Sequence, residues 1–125
     1  MMVVNLNLNE MTAQQLVVRF SELALGQFNA ELYGETQKYN RLNREIVAIA
    51  DELKSRPGDQ RDALVQLLSH SNPQVRLMAA EMTLAAAPSE SRQTLRALWD
   101  RKEFPQAAYA MGTLRALERG DRKPT

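Results

Sequence analysis

Few side chains in this sequence have the type and spacing that catalysis requires. The chain contains no cysteine and one histidine, His70. These counts exclude a thiol nucleophile, a cysteine-rich zinc or iron–sulfur site, and any site built from several histidines. A histidine can act as a general base near neutral pH. However, His70 lies in a Ser-His-Ser-Asn-Pro turn, and we expect it to be a surface or cap-forming residue.

The acidic residues form no evident acid–base or metal-binding pair. Asp51 and Glu52 are adjacent, and side chains at positions i and i+1 of a helix point in different directions. Asp59 is better explained as a helix cap than as a partner of Asp62. The sequence has no Glu-x-x-His motif, which a ferritin-like metal core requires. We therefore expect a protein that is not an enzyme and has no metal or cofactor.

A polar and aromatic group in the second predicted helix is the best candidate for a partner-binding surface. It consists of Tyr39, Asn40, Asn43 and Arg44. Asparagine is unfavourable inside a helix, so two of them within one turn require an explanation. Recognition of a partner is one explanation. A hydrogen bond from Asn40 or Asn43 to a neighbouring helix end is the other.

Arg76 is a further candidate for this surface, because its guanidinium group can bind an anion. The simpler expectation is an ion pair to a neighbouring hairpin, with Asp62 or Glu81 among the possible partners. Replacement of Arg76 would then affect folding more than binding, since a buried partner would lose its counter-charge.

Tyr109 completes the candidate surface and lies in the last predicted helix. Beside it, Ala108, Gly112 and Ala116 form a stripe of small residues at positions i, i+4 and i+8. Such a stripe permits close helix approach. It predicts packing within the molecule, and it leaves open a homodimer that covers an exposed end of the molecule.

The C-terminal part of the chain is basic and suggests a different partner. Residues 89–125 carry eight basic and five acidic side chains, whereas residues 1–88 carry eight basic and ten acidic ones. Two pairs of arginines at i, i+4 spacing can contact a phosphate backbone; they are Arg92 with Arg96 and Arg115 with Arg119. There is no Gly-rich loop and little aromatic interleaving for base stacking, so a solvated helix surface is the simpler interpretation.

These residues are positioned by a chain whose pattern is helical throughout. Apolar residues recur at helical spacing from Thr12 onwards, and Thr12 with Gln15 predicts a capping box. Gly34 is expected to end the first helix, and Pro57-Gly58-Asp59 to end the second.

The second half of the chain contains four shorter predicted helices. Asp59 is expected to cap the first of them. Asn72 caps the next, with Pro73 at its first position, over residues 74–86. Ser89 caps another, and the last helix runs from residue 106 to residue 119 and ends at Gly120.

The six predicted helices pair into three antiparallel hairpins, because their connecting turns are short. A weak internal repeat supports this grouping: Pro73 recurs as Pro105, 32 residues later. Three apolar positions recur with an offset of 31, as Leu64, Leu67 and Leu68 and again as Leu95, Leu98 and Trp99. Repeated helix pairs predict an all-α fold, a short α-α superhelix. A closed six-helix bundle is the alternative.

The segment 67–80 resembles a HEAT-type repeat. The features that carry the resemblance are the leucines before the turn, the Asn72-Pro73-x-Val75-Arg76 motif and the alanine pair that follows it. From about residue 12 to residue 119, the chain resembles a family of small bacterial proteins of unknown function with a HEAT-like superhelix. The matching pieces are this segment, residues 39–42 and residues 52–61. The resemblance implies the fold and no particular activity.

The domain organisation and the compartment follow from the ends of the chain and its composition. The 125 residues, 44% hydrophobic and 25% charged with a net charge of +1, predict one globular domain over residues 12–119. Residues 1–11, where Leu6 and Leu8 alternate with asparagines, predict a weakly ordered arm or a short strand. Residues 120–125 predict a frayed tail. Neither a secretory signal nor an apolar membrane span is recognisable, so we expect a cytoplasmic protein that does not bind membranes.

These observations together predict a non-catalytic protein–protein interaction module, for instance a bacterial regulator or an immunity protein. It would bind an unidentified protein partner through a concave face formed by the second helix of each hairpin. The alternative, for which the sequence gives less support, is a helical scaffold that binds nucleic acid through its C-terminal arginines.

Overall fold

The computed structural model describes residues 7–125, and this part of the chain is helical with no strand. It contains five α-helices and two 3-10 helices. The α-helices are α1 (Ala13–Leu32), α2 (Thr36–Ser55), α3 (Pro73–Met82), α4 (Pro88–Asp100) and α5 (Gln106–Arg119), and the 3-10 helices are Leu8–Glu10 and Gln60–Ser69. The prediction of an all-α fold is confirmed.

The helices pair in sequence order into three hairpins. α1 packs against α2, the second 3-10 helix packs against α3, and α4 packs against α5. The predicted arrangement of six helices in three hairpins is therefore found, with a 3-10 helix as one of the six. α3 also packs against α1 and α4, so it connects the first hairpin to the last.

Two clusters of buried side chains form the core, and α3 contributes to both. The first cluster joins α1, α2, the second 3-10 helix and α3 around residues such as Phe20 and Ile46. The second joins α3, α4 and α5 around Leu77 and Leu95. Residues 74–80 of α3 are all buried, which is typical of a helix surrounded by other helices.

The second 3-10 helix is longer than most, with ten residues where three or four are usual. A 3-10 helix has three residues per turn, so side chains at i and i+3 lie on one line. Leu64 and Leu67 have this spacing, and they are the two buried residues of the segment. Asp59 precedes the helix with a left-handed backbone, φ 51°, and its carboxylate accepts a hydrogen bond from the Arg61 N–H at 3.3 Å.

Two predicted helix starts are found as expected. The Thr12 hydroxyl accepts a hydrogen bond from the Gln15 N–H at 3.1 Å, and the Gln15 side chain accepts one from the Thr12 N–H at 2.8 Å. Asn72 caps α3, since its side chain accepts from the Gln74 N–H at 2.8 Å, and Pro73 is the first helical residue.

Two other predicted helix boundaries were wrong. α4 begins at Pro88, with Ala87 before it, so Ser89 lies inside the helix and does not cap it. Proline has no N–H to satisfy and suits the first helical position. α3 ends at Met82 and not near residue 86. There, the Thr83 hydroxyl donates to the Ala79 carbonyl at 2.8 Å, and the Ala87 N–H donates to the Thr83 carbonyl at 2.8 Å.

The described part of the predicted N-terminal arm packs against the domain. Leu8 and Met11 contact the first core cluster, and the Arg56 guanidinium donates to their carbonyls at 3.1 and 2.6 Å. Leu8 lies in a 3-10 helix and not in the strand that its alternation with asparagines suggested. Leu6 and the residues before it lie outside the described residues.

The C-terminal tail, predicted to fray, follows the surface of the domain in the structure. Arg122 pairs with the Glu81 carboxylate and donates to the Glu81 carbonyl at 3.2 Å. The Lys54 ammonium group donates to the Thr125 hydroxyl at 3.5 Å, and the Arg61 guanidinium donates to the Thr125 carbonyl at 3.5 Å. None of the described helices has the length and apolar character needed to span a membrane.

Candidate partner-binding site

A row of three buried glutamines connects the three hairpins. Gln27 of α1, Gln74 of α3 and Gln106 of α5 are each at most 1% exposed. The bonds join side chains. The Gln74 Nε2 donates to the Gln27 Oε1 at 3.1 Å, and the Gln106 Nε2 donates to the Gln74 Oε1 at 3.0 Å. Buried amides without partners are costly, so these bonds fix the relative positions of the helices that carry them.

Tyr39 of α2 is attached to this row by two hydrogen bonds. The Gln74 amide donates to the Tyr39 hydroxyl at 3.1 Å, and the Gln27 amide donates to the Tyr39 carbonyl at 3.4 Å. Burial raises the pKa of the Tyr39 phenol, and the hydrogen bond from Gln74 partly offsets this effect. Tyr39 is therefore a neutral, half-buried side chain held in one orientation.

The charges of Tyr109 in α5, Glu31 in α1 and Glu81 in α3 also raise the pKa of Tyr39. Tyr109 is 47% exposed. The Glu81 carboxylate accepts a hydrogen bond from the Thr113 hydroxyl and pairs with Arg122. We call Tyr39, Glu81, Tyr109 and Thr113 the tyrosine face; it is formed by α2, α3 and α5, the second helices of the three hairpins.

The other α2 candidates lie in the same helix as Tyr39. Asn40 and Arg44 are exposed and Asn43 is half-buried. Within residues 7–125, neither asparagine side chain bonds a helix end, so the structure does not contain the hydrogen bond that was the alternative explanation for them. Arg44 lines a groove of about 660 Å³ with Lys38 and Arg41 at the start of α2.

Arg76 is engaged inside the molecule and does not belong to the tyrosine face. Its guanidinium donates to both Glu103 carboxylate oxygens, at 2.7 and 2.8 Å, and to the Ser71 carbonyl at 3.4 Å. The ion pair between hairpins is present, but its partner is Glu103 and not Asp62 or Glu81. Its hydrogen bonds lower the pKa of Glu103 and raise the pKa of Arg76.

His70 has a structural role in the turn before α3. Its Nδ1 accepts a hydrogen bond from the Asn72 N–H at 3.0 Å. It also borders a groove of about 750 Å³ between the second 3-10 helix and α4, which contains the Arg76–Glu103 pair together with Glu90 and Arg101. Because positive and negative side chains balance there, the groove favours neither sign of ligand charge.

The small-residue stripe of α5 faces solvent and not a neighbouring helix. Ala108 and Gly112 are exposed, and a Cβ added at Gly112 would meet no atom within 4 Å. With Ala116 and Tyr109 they line a shallow groove of about 520 Å³. The expectation that the stripe packs within the molecule is therefore wrong.

The C-terminal arginines differ in whether they form a salt bridge. Arg119 pairs with Asp121 at 3.0 Å. Arg92, Arg96 and Arg115 are exposed and form no salt bridge with any residue that the structure describes.

An exposed aromatic pair lies beside these arginines and was not predicted from the sequence. Trp99 was expected to repeat the role of Leu68, but the residue is 36% exposed, and Phe104 is 58% exposed. Their rings contact edge to face, with centroids 6.0 Å apart. The spacing of seven residues between Arg92 and Trp99 was the available signal, because it places them on one side of a helix.

The glutamine row was also missed, although the sequence contains a signal for it. Gln74 and Gln106 directly follow Pro73 and Pro105, the two prolines that mark the internal repeat. A polar residue at the same repeat position suggests contact between neighbouring units. Among residues 7–125, no cluster of three or more histidine or acidic side chains is placed to hold a metal ion.

Comparison with known proteins identifies the family of this domain. A family model described as a domain of unknown function (DUF2019) matches residues 14–118. The crystal structure of the protein RPA1889 from Rhodopseudomonas palustris CGA009 is similar, with 45% sequence identity, a TM-score of 0.92, and coverage of 97% of this chain and 100% of that chain. No curated protein matches this chain. Because the family match spans most of the sequence, the chain belongs to the DUF2019 family.

Proposed function

We propose that this protein is a non-catalytic module that binds a protein partner through the tyrosine face, and that it acts in the cytoplasm. The observation that carries the proposal is the placement of Tyr39 and Tyr109. The two residues are 70 positions apart in the sequence. Tyr39 is hydrogen-bonded to Gln74 of the buried row, and Tyr109 lies one turn after Gln106 in α5. Tyrosine combines a large apolar ring with a polar tip and loses little conformational entropy on binding, so it is enriched in protein interfaces.

The rigidity of the site supports this proposal. Tyr39 is fixed by its hydrogen bonds to Gln74 and Gln27, and Glu81 is fixed by Thr113 and Arg122. A surface that is ordered before binding loses less entropy when the partner arrives. The face presents aromatic and hydrogen-bonding groups, and its one carboxylate is already neutralised. Such a surface suits a polar, weakly charged protein partner.

The arrangement of the hairpins supports a HEAT-like stack as the scaffold of this site. The three hairpins pack in sequence order, and the second and third carry a buried glutamine at the same position of the repeat. In stacked helix pairs, the second helices line one surface and carry the binding residues of several units. Tyr39, Glu81 and Tyr109 come from three such helices.

The experiment compares two variants that remove side chains of equal exposure. The partner is first isolated from source cells with the tagged protein and then purified for affinity measurements by calorimetry. Tyr109 is 47% exposed on the tyrosine face, and Val18 is 48% exposed on α1. We expect Tyr109→Ala to weaken binding about tenfold or more, as for an interface hot spot. Val18→Ala is expected to change the dissociation constant by less than about twofold.

A second variant tests the α2 side of the face. Asn40→Ala removes an exposed side chain next to Tyr39 and is expected to weaken binding without changing the unfolding free energy. If Tyr109→Ala and Asn40→Ala both bind the partner as tightly as the wild type, the tyrosine face is not the binding site. The capture uses nuclease-treated lysate, so that proteins retained only through bound nucleic acid are excluded.

A further inference from the structure

The outer side of α4 carries two arginines and a tryptophan on one line. Arg92, Arg96 and Trp99 are spaced i, i+4 and i+7, so they share one side of the helix. The buried residues of α4 are Ser91, Leu95 and Leu98, whereas Arg92, Arg96 and Trp99 are exposed. Arg92 and Trp99 are separated by about 10 Å along the helix axis, at 1.5 Å per residue.

The turn after α4 holds Phe104 against the tryptophan. The Lys102 N–H donates to the Trp99 carbonyl at 3.0 Å, and the Phe104 N–H donates to the Lys102 carbonyl at 3.0 Å. The bidentate ion pair with Arg76 fixes Glu103 in the middle of this turn. The Trp99 ring is therefore kept in place by Phe104, with 36% of the residue still exposed.

The stripe has the charge and the aromatic groups that single-stranded nucleic acids require. Arg92 and Arg96 are exposed and form no salt bridge to the described residues, so both guanidinium groups can donate to phosphate oxygens. Proteins that bind single strands combine such cationic groups with aromatic rings on which bases stack. We propose that Arg92, Arg96, Trp99 and Phe104, the arginine–tryptophan stripe, bind single-stranded nucleic acid.

A single strand fits this surface better than a duplex or an acidic protein. In a duplex the bases are stacked on each other, so Trp99 would have no free base face to contact. An acidic peptide offers carboxylates to the arginines but no flat ring to the tryptophan. A single strand supplies phosphates and unstacked bases together. The stripe shares no residue with the tyrosine face, so the two sites can be tested separately.

The experiment uses Trp99 as an internal reporter, since it is the one tryptophan of the chain. The full-length protein is titrated into a fluorescein-labelled oligo-dT of 20 nucleotides at about 50 mM salt, and anisotropy reports binding. Trp99 emission is recorded with unlabelled oligo-dT. We expect saturable binding with quenching of Trp99, and loss of affinity as salt rises with a log–log slope of about −1.4 for two phosphate contacts.

Three variants test the role of the stripe. Arg92→Gln combined with Arg96→Gln is expected to weaken binding about tenfold or more and to flatten the salt dependence. Trp99→Phe keeps an aromatic ring and is expected to bind within a few-fold of the wild type, whereas Trp99→Ala should lose about tenfold. The control is Arg41→Gln combined with Arg44→Gln, which removes the same charge from the exposed surface of α2. It should bind as the wild type does.

Several results would overturn the proposal. They are no binding at low salt, binding without quenching of Trp99, or equal losses in the α2 control and the α4 double variant. Tighter binding of a duplex of the same sequence, or of polyglutamate, would assign the arginines to a different class of ligand. Circular dichroism of each variant shows whether the helices are intact, and the exposed arginine variants remain informative if Trp99→Ala unfolds.

Discussion

The ion pair between Arg76 and Glu103 shows how a single side chain can be recognised in the sequence while its partner is not. Arg76 follows the turn that resembles a HEAT-type repeat, and that position favours a contact between units. Its partner lies 27 residues away, in the turn after α4. The position of this turn depends on the packing of α3 against α4, which no local pattern specifies. The pair therefore holds the turn that carries Phe104 in place, and the Arg76 guanidinium is not free to bind a ligand.

Protonation of Glu103 should lower the stability of the fold in acid. Because Arg76 lowers the pKa of Glu103, the folded state binds this proton less readily than the unfolded state. The stabilisation is present above the unfolded pKa and is lost as the pH falls through the folded pKa. We expect the unfolding free energy of the wild type, from urea denaturation between about pH 7 and about pH 3, to fall more steeply than that of Glu103→Gln.

Removal of Arg76 gives the companion measurement. At neutral pH, Arg76→Ala leaves the Glu103 carboxylate without its bidentate partner and should cost about 2–3 kcal/mol. The exposed pair of Arg119 and Asp121 is a suitable control, since both side chains are 65% exposed. Arg119→Ala should change the unfolding free energy by less than about 0.5 kcal/mol. Equal costs for the two variants would show that the Arg76 pair contributes no more than a surface contact.

The glutamine row explains how the helices of different hairpins keep their register. Apolar side chains pack without a fixed direction, whereas each amide of the row needs a donor and an acceptor at defined positions. Gln74 has the central place, because it bonds Gln27, Tyr39 and Gln106. A helix that is buried on all sides can carry such a residue only if every polar atom finds a partner.

Substitution of Gln74 by methionine should therefore be costly although the two side chains are similar in size. Gln74→Met leaves the Gln27 oxygen, the Tyr39 hydroxyl and the Gln106 amide without this partner, and we expect a loss of about 2–4 kcal/mol in urea denaturation. The same change should raise the pKa of Tyr39 further, since the hydrogen bond from Gln74 lowers it. Ultraviolet titration of the phenol measures this shift.

Gln93→Met is the matched control, because Gln93 is exposed on α4. It should change the unfolding free energy by less than about 0.5 kcal/mol and leave the titration of Tyr39 unchanged. If Gln74→Met is as stable as Gln93→Met, the row of amides does not hold the hairpins together.

The helices that could be predicted from the sequence are those whose signals are local. Thr12 and Asn72 cap α1 and α3 through bonds to residues two or three positions away, so a short motif contains all the information. The exposure of Trp99 depends on which side of α4 meets α3 and α5. The 3-10 form of residues 60–69 likewise places Leu64 and Leu67 in a core cluster shared with α1, α2 and α3. These properties arise from contacts between distant segments and have no local signature.

The candidate site likewise combines residues with a local signal in the sequence and contacts between distant segments, which have none. Tyr39 and Tyr109 are recognisable as unusual residues of their helices, and the repeat predicts that second helices share a surface. The hydrogen bonds that join Gln106 to Gln74 and Gln74 to Tyr39 require the hairpins to be stacked at a particular distance. The hydrogen bonds of Glu81 to Thr113 and Arg122 also join residues that are more than 30 positions apart, and only the folded molecule reveals them.

The C-terminal tail contacts all three hairpins and therefore links them along the surface of the molecule. It leaves α5, pairs with Glu81 through Arg122, and brings Thr125 near Lys54 of α2. A stack of helix pairs is held mainly by contacts between neighbours. The tail is a strap that joins the last hairpin to the second through the Arg122–Glu81 pair, and it reaches the first hairpin through the 3.5 Å contact of Thr125 with Lys54. We therefore expect it to stabilise the fold mainly through Arg122.

Deletion of residues 121–125 should consequently weaken the molecule without changing its helix content. The loss removes Arg122 from the Glu81 carboxylate, whose side chain is 11% exposed, and we expect a cost of about 1–2 kcal/mol in urea denaturation. Deletion of residues 124–125 removes only the contacts of Thr125, which are 3.5 Å long, and should cost less than about 0.5 kcal/mol. Hydrogen exchange of the amides at the end of α3 should become faster in the longer deletion alone, because the strap no longer covers them. If the shorter deletion is as destabilising as the longer one, Arg122 is not the anchor of the tail. If neither deletion has an effect, the three hairpins are held by their packing and the glutamine row without a strap.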